Sequence, residues 1–477
     1  MAVSNGVAMP GALVSPRLRP FVVAFLLLQE CVQLSCCGSR LAFLPGFEGP
    51  LPFHLETGYV AVGESEEIQL FYYFAESERN SKEDALFLWL TGGPGCSALS
   101  GLIYEIGPLN FNIKAYDRSL PEFVLNPYSW TKASSIIFVD SPVGTGFSYA
   151  ENPLAYETGD FRQVQHLHQF LRRWLISHPE FISNPVYIGG DSYSGLTLPI
   201  LVQEIMDGND EGKSPAINIQ GYVLGNPLTD PAFDQNAPVL FAHGMGLISD
   251  ELYESLKRTC KGHYQFSESS DADCMNDLMA FHQCTSGLQT AQILEPLCGY
   301  ASMKPGEMFG DRRSLLENFF LVREPIDLDL GCRTYGYRLS YSWTNDDNVR
   351  EALHIRKGSI GDWQRCNNEL NYTNDISSTL QYHAKLSARG CRSLIYSGDH
   401  DMIVPFMGTQ AWIRSLNYSI IDNWRSWMVR GQVAGYTRTY SNGMTFATVK
   451  GGGHTAPEYK PEECFAMFER WISREPL

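Results

Sequence analysis

The stretch Gly190-Asp191-Ser192-Tyr193-Ser194-Gly195 decides how the rest of the chain reads. It follows the short apolar run Val186-Tyr187-Ile188, a strand candidate, and leads into residues 196–205, whose apolar pattern continues as a helix. The glycines permit a tight strand-to-helix turn. Small residues suit a serine held on strained backbone with its hydroxyl projecting at the helix N-terminus. The hexapeptide departs from the strict G-x-S-x-G form, because Ser194 stands where the last glycine would be. Taken alone, these six residues also fit a plain glycine-serine turn, and what lies around them decides.

A nucleophilic serine in this setting needs an acid and a histidine later in the chain, in that order. The strand candidate 394–396 delivers Ser397-Gly398-Asp399-His400-Asp401, which offers two acids that spacing does not separate. Beyond His400 the only histidine is His454, in Gly451-Gly452-Gly453-His454, a glycine-rich loop expected to be mobile, directly after the strand candidate 445–449. The apolar run 85–90 leads into Thr91-Gly92-Gly93-Pro94-Gly95, whose glycines bring backbone close to a substrate carbonyl. The N–H groups of Gly93 and Tyr193 are then the expected oxyanion donors. Together with a further apolar run at 135–139 and helical stretches such as 161–177, these pieces predict an α/β-hydrolase fold. Its mostly parallel sheet would be flanked by helices.

The middle of the chain differs. Residues 230–341 hold Cys260, Cys274, Cys284, Cys298 and Cys332 but little strand pattern, and read as an inserted cap stapled by disulfides. Within it, 299–331 contains Lys304-Pro305-Gly306, the dibasic Arg312-Arg313 and an acidic stretch. It reads either as an ordinary long surface loop or as an exposed loop open to proteolysis, which would leave two chains from one precursor. The hydrolase core is thus expected in two parts, 39–229 and 342–477.

Residues 1–38 read as a signal peptide: Arg17 and Arg19 precede the apolar run 21–28, and small residues follow at 36–39. That run is too short to span a bilayer, which takes about 20 residues, so no membrane association is expected after cleavage. The secretory pathway makes disulfides favourable. It also gives meaning to the sequons at Asn371 and Asn417. The nine cysteines after the signal are an odd number, so at least one thiol stays free. No pair has zinc spacing, and neither metal nor cofactor is expected. The 477 residues are 44% hydrophobic and 19% charged, enough for a large core, and the net charge of −17 argues against nucleic acid or anionic membranes as partners.

Four ordered motifs together resemble the serine carboxypeptidase family: Trp89-Leu90-Thr91-Gly92-Gly93-Pro94-Gly95-Cys96-Ser97, 190–195, 397–401 and Gly451-Gly452-Gly453-His454-Thr455-Ala456-Pro457. The likeness runs from Leu44 to Trp471. It implies a triad of Ser192, Asp401 and His454, which selects Asp401 over Asp399, and disulfides Cys96–Cys366, Cys260–Cys274 and Cys298–Cys332. Family peptidases carry Asn at the position of Thr91 and Glu at that of Asp191, where, with a further Glu matched here by Glu105, they clamp a peptide's terminal carboxylate. Two of the three have changed. The stretches 241–250, 363–367 and 457–465 are similar to plant acyltransferases of the family that use 1-O-β-acylglucose donors, and that likeness implies that Asp234 and Arg365 help to hold donor or acceptor.

The resulting expectation is an acyltransferase of secondary metabolism that moves an acyl group from an acylglucose, through acyl-Ser192, to a hydroxyl acceptor, in the vacuole or outside the cell. The alternatives are an acid carboxypeptidase or esterase, and a secreted binding protein without catalysis. The presence of every triad member argues against the last.

Overall fold

The computed structural model describes Met1 and residues 38–264, 271–298 and 333–477. The signal peptide, the 299–331 linker and Cys332 therefore lie outside the described residues, apart from Met1 and Gly38. Residues Ser39–Leu477 form one compact unit.

Its main sheet is built from β1 (Ser39–Leu41), β2 (Leu55–Val62), β3 (Ile68–Ala75), β4 (Ala85–Leu90), β5 (Ser134–Val139), β6 (Val186–Asp191), β7 (Ile219–Gly225), β8 (Arg392–Gly398), β9 (Ile420–Val429), β10 (Gln432–Tyr440) and β11 (Met444–Val449). Across the sheet the order is β1-β2-β3-β5-β4-β6-β7-β8-β11-β10-β9. The six strands from β5 to β11 in that order pair in parallel. Both flanks are antiparallel: β1, β2 and β3 on one side, β10 and β9 on the other. The sheet is thus a parallel centre in a mixed frame, an α/β-hydrolase fold with antiparallel borders that apolar runs alone do not announce.

The parallel strands are buried along most of their length, as strands covered on both faces must be. One apolar cluster includes Phe87, Trp89, Trp130, Phe138 and Phe468, and the other Leu88, Ile137, Leu171, Trp174 and Ile188. The helix Asp160–Ser177 presents Val164, Leu167, Leu171 and Trp174 to the sheet, the spacing of one apolar helical face. The helix Ser194–Asp210 leaves the end of β6 directly and buries Leu198, Leu201, Val202 and Ile205.

Between β7 and β8, the described part of the 230–341 segment is helical, with Ala237–Gly244, Asp250–Cys260 and Ala272–Thr285. It carries its own small cluster of Val239, Phe241, Leu256, Leu278 and Phe281. The disulfide Cys260–Cys274 ties two of these helices, and Cys96–Cys366 ties the loop after β4 to the segment before β8. Cys298 is also disulfide-bonded, while Cys284, Cys391 and Cys464 are free.

Candidate active site

The parallel strands deliver the chemistry at their C-terminal ends. After β6 the backbone turns sharply into the helix Ser194–Asp210, and Ser192 at the turn has φ of 54°, a left-handed conformation that a side chain adopts only when its surroundings impose it. Those surroundings are explicit. The Ser192 N–H donates to Gly225 O at 2.9 Å, and Ser192 O accepts from the Gly195 N–H at 3.0 Å and the Leu228 N–H at 2.9 Å. Ser194, in the place of the expected glycine, donates its hydroxyl to Asp191 O at 2.6 Å and so braces the same turn.

His454 Nε2 lies 2.8 Å from Ser192 Oγ, and its Nδ1 lies 2.8 Å from Asp401 Oδ2. Asp401 is fully buried and accepts three further bonds, from Asn226 Nδ2 at 2.8 Å, the Ile403 N–H at 2.7 Å and the Val404 N–H at 3.2 Å. Asp399 points elsewhere, taking His400 Nδ1 and the Gly451 N–H, each at 2.6 Å. Of the two acids that spacing left open, only Asp401 reaches the imidazole. The other ties the histidine loop to β8. Burial acts to lower the pKa of His454, but the charge and hydrogen bond of Asp401, with Asp191 behind, raise it above the ordinary value. The imidazole is thereby a stronger base than histidine in water.

The glycine-rich loop is held, not mobile. The His454 N–H donates to Ala291 O at 2.7 Å and the His400 N–H to Gly452 O at 2.9 Å. A side chain on Gly453 would overlap Ala291 O, so the glycines serve close approach rather than freedom.

Across from the nucleophile, Gly92 packs so tightly on the turn that a Cβ there would lie 2.7 Å from Ser192 Cβ and 2.9 Å from Tyr193 N. Gly93, the next residue, has φ of 126°, which only glycine takes readily. The N–H groups of Gly93 and Tyr193 flank Ser192 and make no hydrogen bond among the described residues. Two unused backbone donors beside a serine hydroxyl can stabilise an oxyanion.

Beneath them sits a buried ionisable cluster. Asp191 accepts from the Gly92 N–H at 3.0 Å, and the fully buried Glu105 carboxyl lies within electrostatic reach of it. Burial, then the charges of Asp191 and Glu458, push Glu105 well above the carboxyl range, while Arg365 opposes them. Asp191 is raised too, by burial working against His454, the Gly92 N–H and Arg365. Two buried like-charged carboxyls near one another each disfavour the other's ionisation. Thr91 Oγ1 is buried without a partner among the described residues. The Arg365 guanidinium lies 3.8 Å over the Tyr337 ring, and its side chain makes no hydrogen bond or ion pair among the described residues.

Asp234 stands apart. Its Oδ2 accepts from the N–H groups of Thr229 and Asp230 at 2.6 and 2.9 Å, and burial raises its pKa to about 7, but no bond among the described residues joins it to the triad or to Arg365. The expectation that it shares a binding role with Arg365 finds no support in this placement. Both sequon asparagines, Asn371 and Asn417, are exposed.

Two members of the site were not singled out in the sequence. Glu458, buried four residues after His454, accepts from Tyr337 Oη at 2.8 Å and Thr455 Oγ1 at 2.8 Å. Its closeness to the base was the available signal. Asn226, at φ of 41° after β7, bridges the Gly398 N–H and Asp401, and carries no sequence signal beyond following a strand.

The family model described as serine carboxypeptidase matches residues 45–474. The chain belongs to the serine carboxypeptidase family. It is 55% identical to serine carboxypeptidase-like 2 of Arabidopsis thaliana over 458 residues, covering 95% of this chain and 98% of that protein. It is 54% identical to serine carboxypeptidase-like 7 of the same plant, with 93% and 95% covered. Among solved structures it is similar to Kex1(Δ)p, a prohormone-processing carboxypeptidase from Saccharomyces cerevisiae, with a TM-score of 0.71 at 20% identity over 91% of this chain and 95% of that one. At that identity the likeness speaks for the fold alone. Membership makes the serine-type hydrolase framework the setting in which the altered Thr91–Glu105–Asp191 trio is to be read.

Proposed function

We propose that this family member is an acyltransferase that moves an acyl group from a 1-O-β-acylglucose, through acyl-Ser192, to a hydroxyl acceptor. The observation that carries this reading is the state of the trio. Thr91 supplies no amide donor and its hydroxyl has no partner among the described residues, while Asp191 is engaged by the Gly92 N–H. A peptide's terminal carboxylate would meet two acidic groups there and no side-chain amide. A sugar ester is neutral and places no charge in that pocket.

In this mechanism Nε2 of His454 takes the Ser192 proton, and Oγ attacks the ester carbonyl. The Gly93 and Tyr193 N–H groups hold the oxyanion, and Asp401 holds the imidazolium. The imidazolium returns its proton to the departing glucose oxygen. In the second half His454 takes the proton of the acceptor hydroxyl, which attacks the acyl carbon, and the proton then passes back to Ser192. The Arg365 guanidinium, without a hydrogen-bond partner among the described residues, is available to a polar or anionic part of donor or acceptor. A polar cleft of about 390 Å³, lined by Gly144, Tyr156, Gln364, Asn367 and Glu369 among others, adjoins the loop after β4 and offers room for a sugar. Water must be kept from the acyl-serine, and in this reading the 230–341 insertion shapes the acceptor pocket that does so. The disulfides Cys96–Cys366 and Cys260–Cys274, with a further bonded cysteine at Cys298, fit an oxidising compartment, which supports passage through the secretory pathway to the vacuole or cell exterior.

Hydrolysis by an acid carboxypeptidase is the second reading, favoured by Glu105, the one clamp residue kept, with an acid still present at Asp191. The test is to give the enzyme acylglucoses with a hydroxyl acceptor panel and, separately, blocked dipeptides at acid pH. Ester products with little release of C-terminal residues are expected, and Thr91→Asn with Asp191→Glu should raise peptide cleavage. Efficient trimming with no ester across the panel would refute transfer.

A further inference from the structure

The carboxylate of Asp160 collects four hydrogen bonds, and none comes from its own helix. Oδ1 accepts from Tyr193 Oη at 2.8 Å and Tyr372 Oη at 2.7 Å. Oδ2 accepts from the N–H groups of Asp375 at 2.7 Å and Ile376 at 2.9 Å. Asp160 is fully buried and is the first residue of the helix Asp160–Ser177. A capping carboxylate would turn to the free N–H groups of its own first turn. This one turns instead to the residue after the nucleophile and to the segment that follows Cys366.

That segment reaches the other side of the oxyanion site as well. Cys366 is bonded to Cys96, the Asn367 N–H donates to Gly95 O at 2.9 Å, and the Ser97 N–H donates to Arg365 O at 2.7 Å. Leu370 presses on Gly95 closely enough that a Cβ there would lie 2.6 Å from its Cδ1. The loop carrying Gly93 is therefore held from residues 365–370, and the ring of Tyr193 from residues 372–376, with Asp160 as the knot at the second end.

We propose that Asp160 is a positioning residue for the oxyanion hole: by anchoring the Tyr193 phenol to the 372–376 loop, it sets the distance between the Tyr193 and Gly93 donors. The physical need is plain. The Tyr193 N–H shares a peptide plane with the Ser192 carbonyl, which accepts from the Gly195 and Leu228 N–H groups and so fixes the tilt of that plane. The ring, bonded to Asp160 and to Asn374 Oδ1 at 3.1 Å, is a second hold on where that plane lies relative to the Gly93 loop. Bonds to a buried carboxylate are stronger and shorter than neutral ones. An oxyanion donor works only within about 2.7–3.1 Å of the developing charge, so a shift of a few tenths of an ångström is enough to lose its effect. The proposal rests on the acyl-serine reading and holds for water or a hydroxyl as acceptor.

The test compares Tyr193→Phe, which deletes only the phenol oxygen, with Asp160→Asn. Burst acylation by p-nitrophenyl acetate, KM, affinity for phenylboronic acid as a tetrahedral adduct, and thermal midpoint are measured for each. Tyr193→Phe should acylate about tenfold more slowly, with KM within about twofold, boronate affinity lower by a factor similar to the rate, and a midpoint close to the parent's. Asp160→Asn should lose more in both rate and boronate affinity. Parental acylation and boronate affinity in both variants would overturn the proposal, as would losses that merely track the fraction of unfolded protein. Failure of the serine reading would look different: Ser192→Ala would then acylate as the parent does.

Discussion

Gly92→Ala adds one methyl group where the oxyanion loop crosses the nucleophile turn. A Cβ there meets Ser192 Cβ at 2.7 Å, with Asp191 O and Tyr193 N each at 2.9 Å. Carbon atoms rest at about 3.5–4.0 Å, so the shortfall is roughly 1 Å. Two of the three atoms are backbone, in a turn already pinned by Gly225, Gly195 and Leu228, and cannot swing aside as the end of a long side chain would. The loop itself must retreat, taking the adjacent Gly93 N–H with it. A retreat of that size exceeds the narrow range in which an oxyanion donor acts. The expected loss in acylation rate is therefore that of a deleted donor, about 10²–10³-fold, with overpacking costing about 1–3 kcal/mol of stability. Single-turnover acylation with a chromogenic ester measures the first, and denaturant unfolding the second. Gly287→Ala, with nothing within 4 Å of the added carbon, is the control and should match the parent. Acylation by Gly92→Ala within about threefold of the parent would refute the close-approach reasoning.

Asp401→Asn should lower kcat by about 10⁴-fold, because an amide favours the wrong imidazole tautomer, whereas Asp399→Asn should cost stability and far less rate; steady-state kinetics on both variants separate the two acids. Asp234→Asn should flatten the loss of stability between pH 5 and pH 7. Burial raises Asp234 to about 7, and a carboxyl raised on folding stabilises below its unfolded value and loses that contribution as pH rises through the folded one. Thermal midpoints of parent and variant across that range check this, and parallel profiles would refute it. Cys96→Ser opens a closed loop spanning 270 positions and should remove about 5–6 kcal/mol by the loop-entropy estimate, with a loss of acylation rate because the same bond anchors the Gly93 loop; an unchanged unfolding midpoint would contradict this.

The strands that deliver the site were legible because burial on both faces writes a near-continuous apolar run. Ala85–Leu90 was placed to the residue, and the runs at 135–139 and 445–449 to within one. The hairpin Ile420–Val429 and Gln432–Tyr440 was not legible, because an edge strand with Asp422, Asn423, Arg425 and Ser426 shows water much of its length and leaves no apolar run. Ile219–Gly225 was hidden by its two glycines and Gln220. Ile68–Ala75 is fully buried, yet nothing in its composition tells an antiparallel neighbour from a parallel one. In the site, motif order was enough to bring Ser192 and His454 together. Choosing between Asp399 and Asp401 took either family likeness or geometry, since both follow the same strand. Side chains that act across long separations were not legible. Asn226 reaches Asp401 from 175 residues away, and Asp160 meets Tyr372 and Tyr193 only once three loops have folded together.

The central claim is that acyl-Ser192 forms from a sugar ester and is resolved by a hydroxyl other than water. Intact-mass analysis after mixing enzyme with an acylglucose in the absence of acceptor tests it most directly. The account predicts a mass increase equal to one acyl group, mapped to Ser192, absent in Ser192→Ala, and lost on adding a hydroxyl acceptor with an equal yield of ester. Discharge to free acid at the same rate with or without acceptor, or no adduct on Ser192 while acyl product still forms, would contradict it.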